Sequence, residues 1–192
     1  IIYSEKDGYN HLYLYDMEGN LINQITKGNW DVTSFIGYDS DEERVYYSAA
    51  EDSPLRRHIY SIQLNGKRKK QITEKDGWNR TSFSNGFTYF INYYSNANTP
   101  TEVTLHDQSG KQIRILEDNQ PLKEKIDEYG FVEKEFVRIN TPSSKWDLNA
   151  YVMKPENFDP SREYPLFMFQ YSGPGSQQVT DRWDRYHAWF TM

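Results

Sequence analysis

The chain has 192 residues, 22 basic against 28 acidic side chains for a net charge of -6, and no cysteine. That length suits one or two domains with a sizeable core; the missing cysteine excludes disulfides and thiolate metal sites within these residues, and an acidic balance without a basic stripe argues against nucleic acid as a partner. Aromatics reach 16% of residues at a mean hydropathy of -0.91, which favours half-buried pleated surfaces over disorder, and there is neither a membrane-spanning apolar run nor a signal-peptide pattern at Ile1.

The first elements in chain order form a repeat. His11-Leu12-Tyr13 aligns with His58-Ile59-Tyr60, and the register holds through Gly19 with Gly66 and Gln24-Ile25-Thr26 with Gln71-Ile72-Thr73, each pair 47 residues apart. A weaker third copy sets Gly110 44 residues beyond Gly66. Short strands and turns repeating at this period predict β-propeller blades. Within one unit, strands are predicted at Arg44–Ser48, His58–Ile62 and Lys69–Thr73, with a hairpin turn at Leu64-Asn65-Gly66. The first unit lacks its innermost strand, so residues 1–119 read as two to three antiparallel blades ending near Gly28, Gly77 and Asn119.

The pattern then changes. Residues 120–130 are charged and read as a linker with about one helical turn. Lys134–Ile139 and Leu148–Met153 alternate around Thr141-Pro142-Ser143-Ser144 as a hairpin. Asn157-Phe158-Asp159-Pro160 is a turn. Tyr164-Pro165 opens a buried strand, Leu166-Phe167-Met168-Phe169-Gln170, which stops at Tyr171 before the turn Ser172-Gly173-Pro174-Gly175-Ser176-Gln177. Asp181 to Phe190 has helical character.

Tyr164-Pro165-Leu166 followed by Tyr171-Ser172-Gly173-Pro174-Gly175-Ser176-Gln177 resembles the prolyl oligopeptidase family of serine peptidases, within it the dipeptidyl peptidase IV branch. Ile25-Thr26-Lys27-Gly28-Asn29-Trp30-Asp31-Val32 and Leu116-Glu117-Asp118-Asn119 extend the resemblance along essentially the whole chain. It implies a mainly β chain in which the last blades of a propeller precede the first strands of an α/β-hydrolase domain, here from residue 131 to 192. It also implies release of N-terminal dipeptides after proline or alanine, peptide substrates, a periplasmic or extracellular location, and an oxyanion-hole role for Tyr171. No cofactor is implied.

The nucleophile, acid and base of such an enzyme are not in this sequence. A hydrolase of this class needs a Gly-x-Ser-x-Gly elbow followed by an acid and a histidine. Gln170 stands two places before Ser172, and Ser176 lies in Gly-Pro-Gly-Ser-Gln-Gln. The expectation is a fragment, inactive alone, of a larger peptidase, with exposed strand edges that favour self-association as a homo-oligomer. The rival reading is a non-catalytic propeller module that binds peptides or proteins.

Other candidates read as scaffold. His11 and His58 occupy one position of two repeats, His106 lies in a third repeat turn, and His187 has no metal-ligand spacing around it. Trp30 and Trp78 suit packing between blades. Lys67-Arg68-Lys69-Lys70 and Asp39-Ser40-Asp41-Glu42-Glu43 suit solvated turns. Asn79-Arg80-Thr81 fits a glycosylation sequon, a pattern common by chance. Arg182 and Arg185 follow the Tyr171 turn and are left without a role.

Overall fold

A computed structural model describes residues 1–142, 147–155, 157–171, 173 and 175–184. Its described residues form four antiparallel sheets. Three are successive meanders. The first holds β1 (Ile2–Ser4), β2 (His11–Tyr15) and β3 (Leu21–Gln24); the second holds β4 (Val32–Asp39), β5 (Arg44–Ala49), β6 (His58–Gln63) and β7 (Lys70–Gln71). The third holds β8 (Trp78–Phe83), β9 (Tyr89–Asn96), β10 (Thr99–Asp107) and β11 (Gln112–Glu117). These are the expected propeller blades. The first lacks the counterpart of β4, since His11 opens β2 as His58 opens β6.

Alternation along the central strands explains the stacking. On β5, Val45, Tyr47 and Ala49 join Leu12 and Ile25 of the first blade in one buried cluster, while Tyr46 joins Ile59, Ile72 and Phe90 in a second cluster against the third blade. A strand covered on both faces has no polar side, so β5 and β6 are buried almost throughout. Tyr47 stacks on Tyr60 at 5.5 Å, and Tyr46 lies between Phe83 at 4.8 Å and Phe87 at 5.0 Å. Each such ring contributes about 1.5–3 kcal/mol by its burial.

The repeat also operates through the backbone. Thr26 Oγ1 accepts a bond from the Leu12 N–H at 2.9 Å, as Thr73 Oγ1 does from the Ile59 N–H at 3.0 Å. Each outer turn then sits on the preceding blade. A Cβ at Gly66 would lie 3.1 Å from the Ile25 carbonyl oxygen, and one at Gly110 2.3 Å from that of Ile72. Both glycines also have positive φ, at 76° and 94°, so spacing and backbone conformation require glycine together. Asn23 and Lys70, equivalent in the repeat, donate across the same junctions to the carbonyls of Leu64 and Ser109, both at 2.8 Å.

After the blades, α1 (Gln120–Glu128) is a nine-residue helix where the sequence predicts about one turn. Pro121 lies in its first turn, Lys123 Nζ reaches Glu102 Oε1 of β10 at 2.9 Å, and none of its residues is buried. The fourth sheet is the hairpin of β12 (Glu135–Asn140) and β13 (Asp147–Val152), within a residue of the predicted strands; residues 143–146 of its turn lie outside the described residues.

The segment predicted as a buried strand, 166–170, joins none of the four sheets, and Leu166, Phe167, Met168 and Phe169 are 88, 78, 74 and 57% exposed. A central hydrolase strand takes its ladder bonds and cover from neighbouring strands and helices, and no strand of the four described sheets pairs with this stretch. Of the helix expected from Asp181, residues 181–184 are irregular and the remainder lies outside the described residues. No described helix is long and apolar enough to cross a membrane.

Candidate functional site

Tyr171 follows the apolar segment 166–170 and is 61% exposed. The turn after it holds the ring closely. A Cβ at Gly173 would lie 2.6 Å from the Tyr171 ring and 2.8 Å from its hydroxyl oxygen, so the phenol lies directly beside the glycine. Gly175 takes a φ of 74°, and the Ser176 N–H returns to the Gly173 carbonyl at 3.4 Å. Ser172 and Pro174 lie outside the described residues, as do Arg185 and His187.

Beyond the turn, the chain is pinned to the propeller. Gln177 donates to the Pro54 carbonyl at 2.6 Å and accepts from the Arg57 guanidinium at 2.8 Å. Asp181 is 8% exposed; one carboxylate oxygen takes the Arg56 Nε–H at 3.1 Å and the other takes the Ala97 N–H at 2.9 Å. Its own N–H donates to the Leu55 carbonyl at 2.8 Å. Trp183 packs on Phe131 at 5.3 Å, and its N–H reaches Ser95 Oγ at 3.3 Å. Residues 177–183 thus bridge the loop after β5 and the β9–β10 turn.

Arg56 is itself held by Asp52 at 3.1 Å and Asp76 at 2.7 Å. Burial works against its charge, but the bonds to Asp52 and Asp181 and the charge of Asp76 outweigh it and raise its pKa above the usual arginine value. Burial depresses the neighbouring Arg57, with Asp31 opposing and Arg182 adding. Trp78 lies between these cations, 4.5 Å from Arg57 and 5.0 Å from Arg182. Trp30 instead packs within the first inter-blade cluster, 4.9 Å from His11. The two equivalent tryptophans therefore differ in use.

Asp52, His58 and Asp76 are the described residues whose spacing could hold a metal ion. His58 is 1% exposed, and its Nε2 lies 3.8 Å from Asp76 Oδ1 without a hydrogen bond among the described residues. The Arg56 guanidinium already occupies the cation position between the two carboxylates. His11 places Nε2 on the Gly28 carbonyl at 3.0 Å, a structural role. His106 sits in β10 rather than in a turn, between Thr104 Oγ1 at 2.8 Å and the Gly110 carbonyl at 2.9 Å. The acidic run forms the β4–β5 turn, where Asp39 accepts the Asp41 N–H at 3.0 Å, and of the basic run Lys69 pairs with Glu51.

Sequence reasoning singled out Tyr171 and missed Arg56, Gln177 and Asp181, whose bonds between the loop after β5 and the later segment join residues 120 or more apart. The signal available was an Arg-Arg pair in an acidic loop and an aspartate following the glycine turn, and no periodicity links them.

The described blades agree with known proteins. The family model for the dipeptidyl peptidase IV (DPP IV) N-terminal region matches residues 1–101. Dipeptidyl peptidase 4 of Trichophyton rubrum is 30% identical over 184 residues, and that of Arthroderma otae is 31% identical over 183; each match covers 94% of this chain and 24% of the relative. The chain thus spans about a quarter of the length of these curated relatives. The crystal structure of Porphyromonas gingivalis dipeptidyl peptidase 4 superposes with a TM-score of 0.90 at 46% identity, over 98% of this chain and 27% of that one. With its successive blades, and a family match over more than half its length, the chain belongs to the dipeptidyl peptidase IV N-terminal region family.

Proposed function

We propose that this chain supplies the oxyanion donor of a serine-type dipeptidyl peptidase that releases N-terminal dipeptides from peptides through an acyl-enzyme. Tyr171 carries the role. The residue is exposed, its ring lies beside Gly173, and the segment after the turn is fastened to the propeller. The phenol donates to the oxygen that gains charge when the substrate carbonyl is attacked, a contact that stabilises the transition state by about 3 kcal/mol. In this reading residues 1–119 are propeller, 120–130 a linker and 131–192 the start of the hydrolase domain. Nucleophile, acid and base come from sequence outside these 192 residues, and the chain alone does not turn over substrate. The exposed apolar run 166–169 favours self-association, which light scattering over a dilution series measures.

The decisive experiment is Tyr171→Phe in the whole peptidase, assayed on a Gly-Pro chromogenic amide. A fall in kcat of about 10² with a smaller change in KM is expected. A near-normal kcat would assign Tyr171 a structural role only.

A further inference from the structure

We infer that Asp181, held by Arg56, is a positioning residue that sets the place of the Tyr171 hydroxyl, so that a propeller side chain tunes the oxyanion site without touching substrate. The inference rests on the oxyanion reading of Tyr171. Asp181 lies ten residues beyond Tyr171, and it carries the most buried anchor between 175 and 184. Both its carboxylate oxygens are used, one by Arg56 from the loop after β5 and one by the Ala97 N–H from the β9–β10 turn. The bond from its N–H to Leu55 and the Gln177 contacts to Pro54 and Arg57 complete a grip on four consecutive propeller residues, 54–57.

Arg56 is suited to this work because Asp52 and Asp76 fix its NH1 and leave Nε free for Asp181. A guanidinium held at three points has little rotamer freedom left to lose, and a buried charged bond is stiffer than a neutral one. The grip also acts on the side of Tyr171 where stiffness is needed. The segment before the tyrosine is exposed and in no described sheet, whereas the ring itself lies on Gly173 of the turn whose far end is pinned. An oxyanion donor displaced by a fraction of an ångström loses much of its effect while substrate binding is retained.

The test compares Asp181→Asn, Tyr171→Phe and the double variant in the whole peptidase. Asn keeps the size of the side chain and an acceptor for the Ala97 N–H but removes the charge that meets Arg56. We expect Asp181→Asn to lower kcat about tenfold with KM within about twofold, and to have almost no further effect once Tyr171 is Phe, because a residue acting through the hydroxyl has nothing left to position. Arg56→Lys, which keeps the charge but cannot span Asp52, Asp76 and Asp181 together, should reproduce the kcat loss and is read instead if Asp181→Asn does not fold. A crippled Tyr171→Phe beside a near-normal, folded Asp181→Asn overturns the positioning role alone, as do losses that multiply in the double variant. A near-normal Tyr171→Phe overturns the oxyanion reading and this inference with it.

Discussion

The blades and the segment from 153 to 184 are held by opposite means. In the blades, apolar side chains alternate into clusters on both faces of β5 and β6, and neighbours in sequence supply the neighbouring strands. In the later segment the apolar residues Leu166–Phe169 face outward, while polar and charged groups of Gln177 and Asp181 make the attachment. The first region is built by burial of local repeats. The second is placed by a few directional bonds to partners far away in the chain, an arrangement suited to setting a geometry more than to adding stability.

Substitutions in the two regions should therefore differ in what they disturb. The largest effect is expected in the blades: Tyr47→Ala removes a fully buried ring between Tyr60 and Trp30 and should cost about 3–5 kcal/mol in urea unfolding. Tyr47→Phe sharpens this, because the buried hydroxyl has no partner among the described residues and its pKa is pushed up chiefly by burial. Stability should be unchanged or raised by about 1 kcal/mol; a clear loss would mean that the hydroxyl is bonded.

Gly110→Ala comes next. It places a Cβ against the Ile72 carbonyl at a φ of 94° and should cost at least about 2 kcal/mol, whereas Gly8→Ala at a similar φ of 93° meets open space and should cost about 1 kcal/mol. Equal losses at the two sites would remove the steric contact as the cause.

A smaller, pH-dependent effect is expected where α1 joins the third blade. Burial alone would raise the Glu102 carboxyl, but bonds from Lys75 and Lys123 hold it below the ordinary glutamate value. A depressed folded pKa stabilises above the unfolded value and loses that contribution as pH falls through the folded one. Glu102→Gln should cost about 0.5–1 kcal/mol near pH 7, and progressively less as pH falls through the depressed folded pKa. A loss that persists in acid would point to packing instead.

The smallest effect on unfolding is expected in the later segment. Leu166→Ser with Phe167→Ser should change stability by less than about 0.5 kcal/mol, yet it should reduce light scattering at high protein concentration. A cooperative loss of stability would show that these side chains are covered.

The blades were legible because periodicity of two and a 47-residue repeat are both written in the residues themselves; Leu12 and Ile59 donate to equivalent threonine hydroxyls, and Ile25 and Ile72 each enter an inter-blade cluster. The extent of α1 was not legible, since it buries no residue and leans on polar pairs such as Lys125 with Glu128 at 2.5 Å and Lys123 with Glu102. The returning strand predicted over Lys69–Thr73 shrinks to Lys70–Gln71, because Thr73 turns its hydroxyl to the Ile59 N–H instead of continuing the ladder. Around Tyr171, residue types and the glycine turn could be read, and the anchors could not. The bond from Arg56 to Asp181 joins residues 125 apart through side chains that, taken singly, look like ordinary surface charges.

The glycines of the outer turns carry one more consequence. A Cβ at Gly66 or Gly110 would first meet a main-chain carbonyl of the blade before it, that of Ile25 or Ile72, with the Asn23 amide or the Ile72 methyl farther off. That first contact is with backbone common to every sequence, so side chains elsewhere on the faces between blades are free to diverge while the step from blade to blade stays constant. The contact also has a direction: each unit grips the one before it, and a lesion at one turn should loosen the junction behind it and leave the junction ahead intact. A ring grown by duplicating such units inherits its pitch from glycine and carbonyl, and can spend its side chains on diversity.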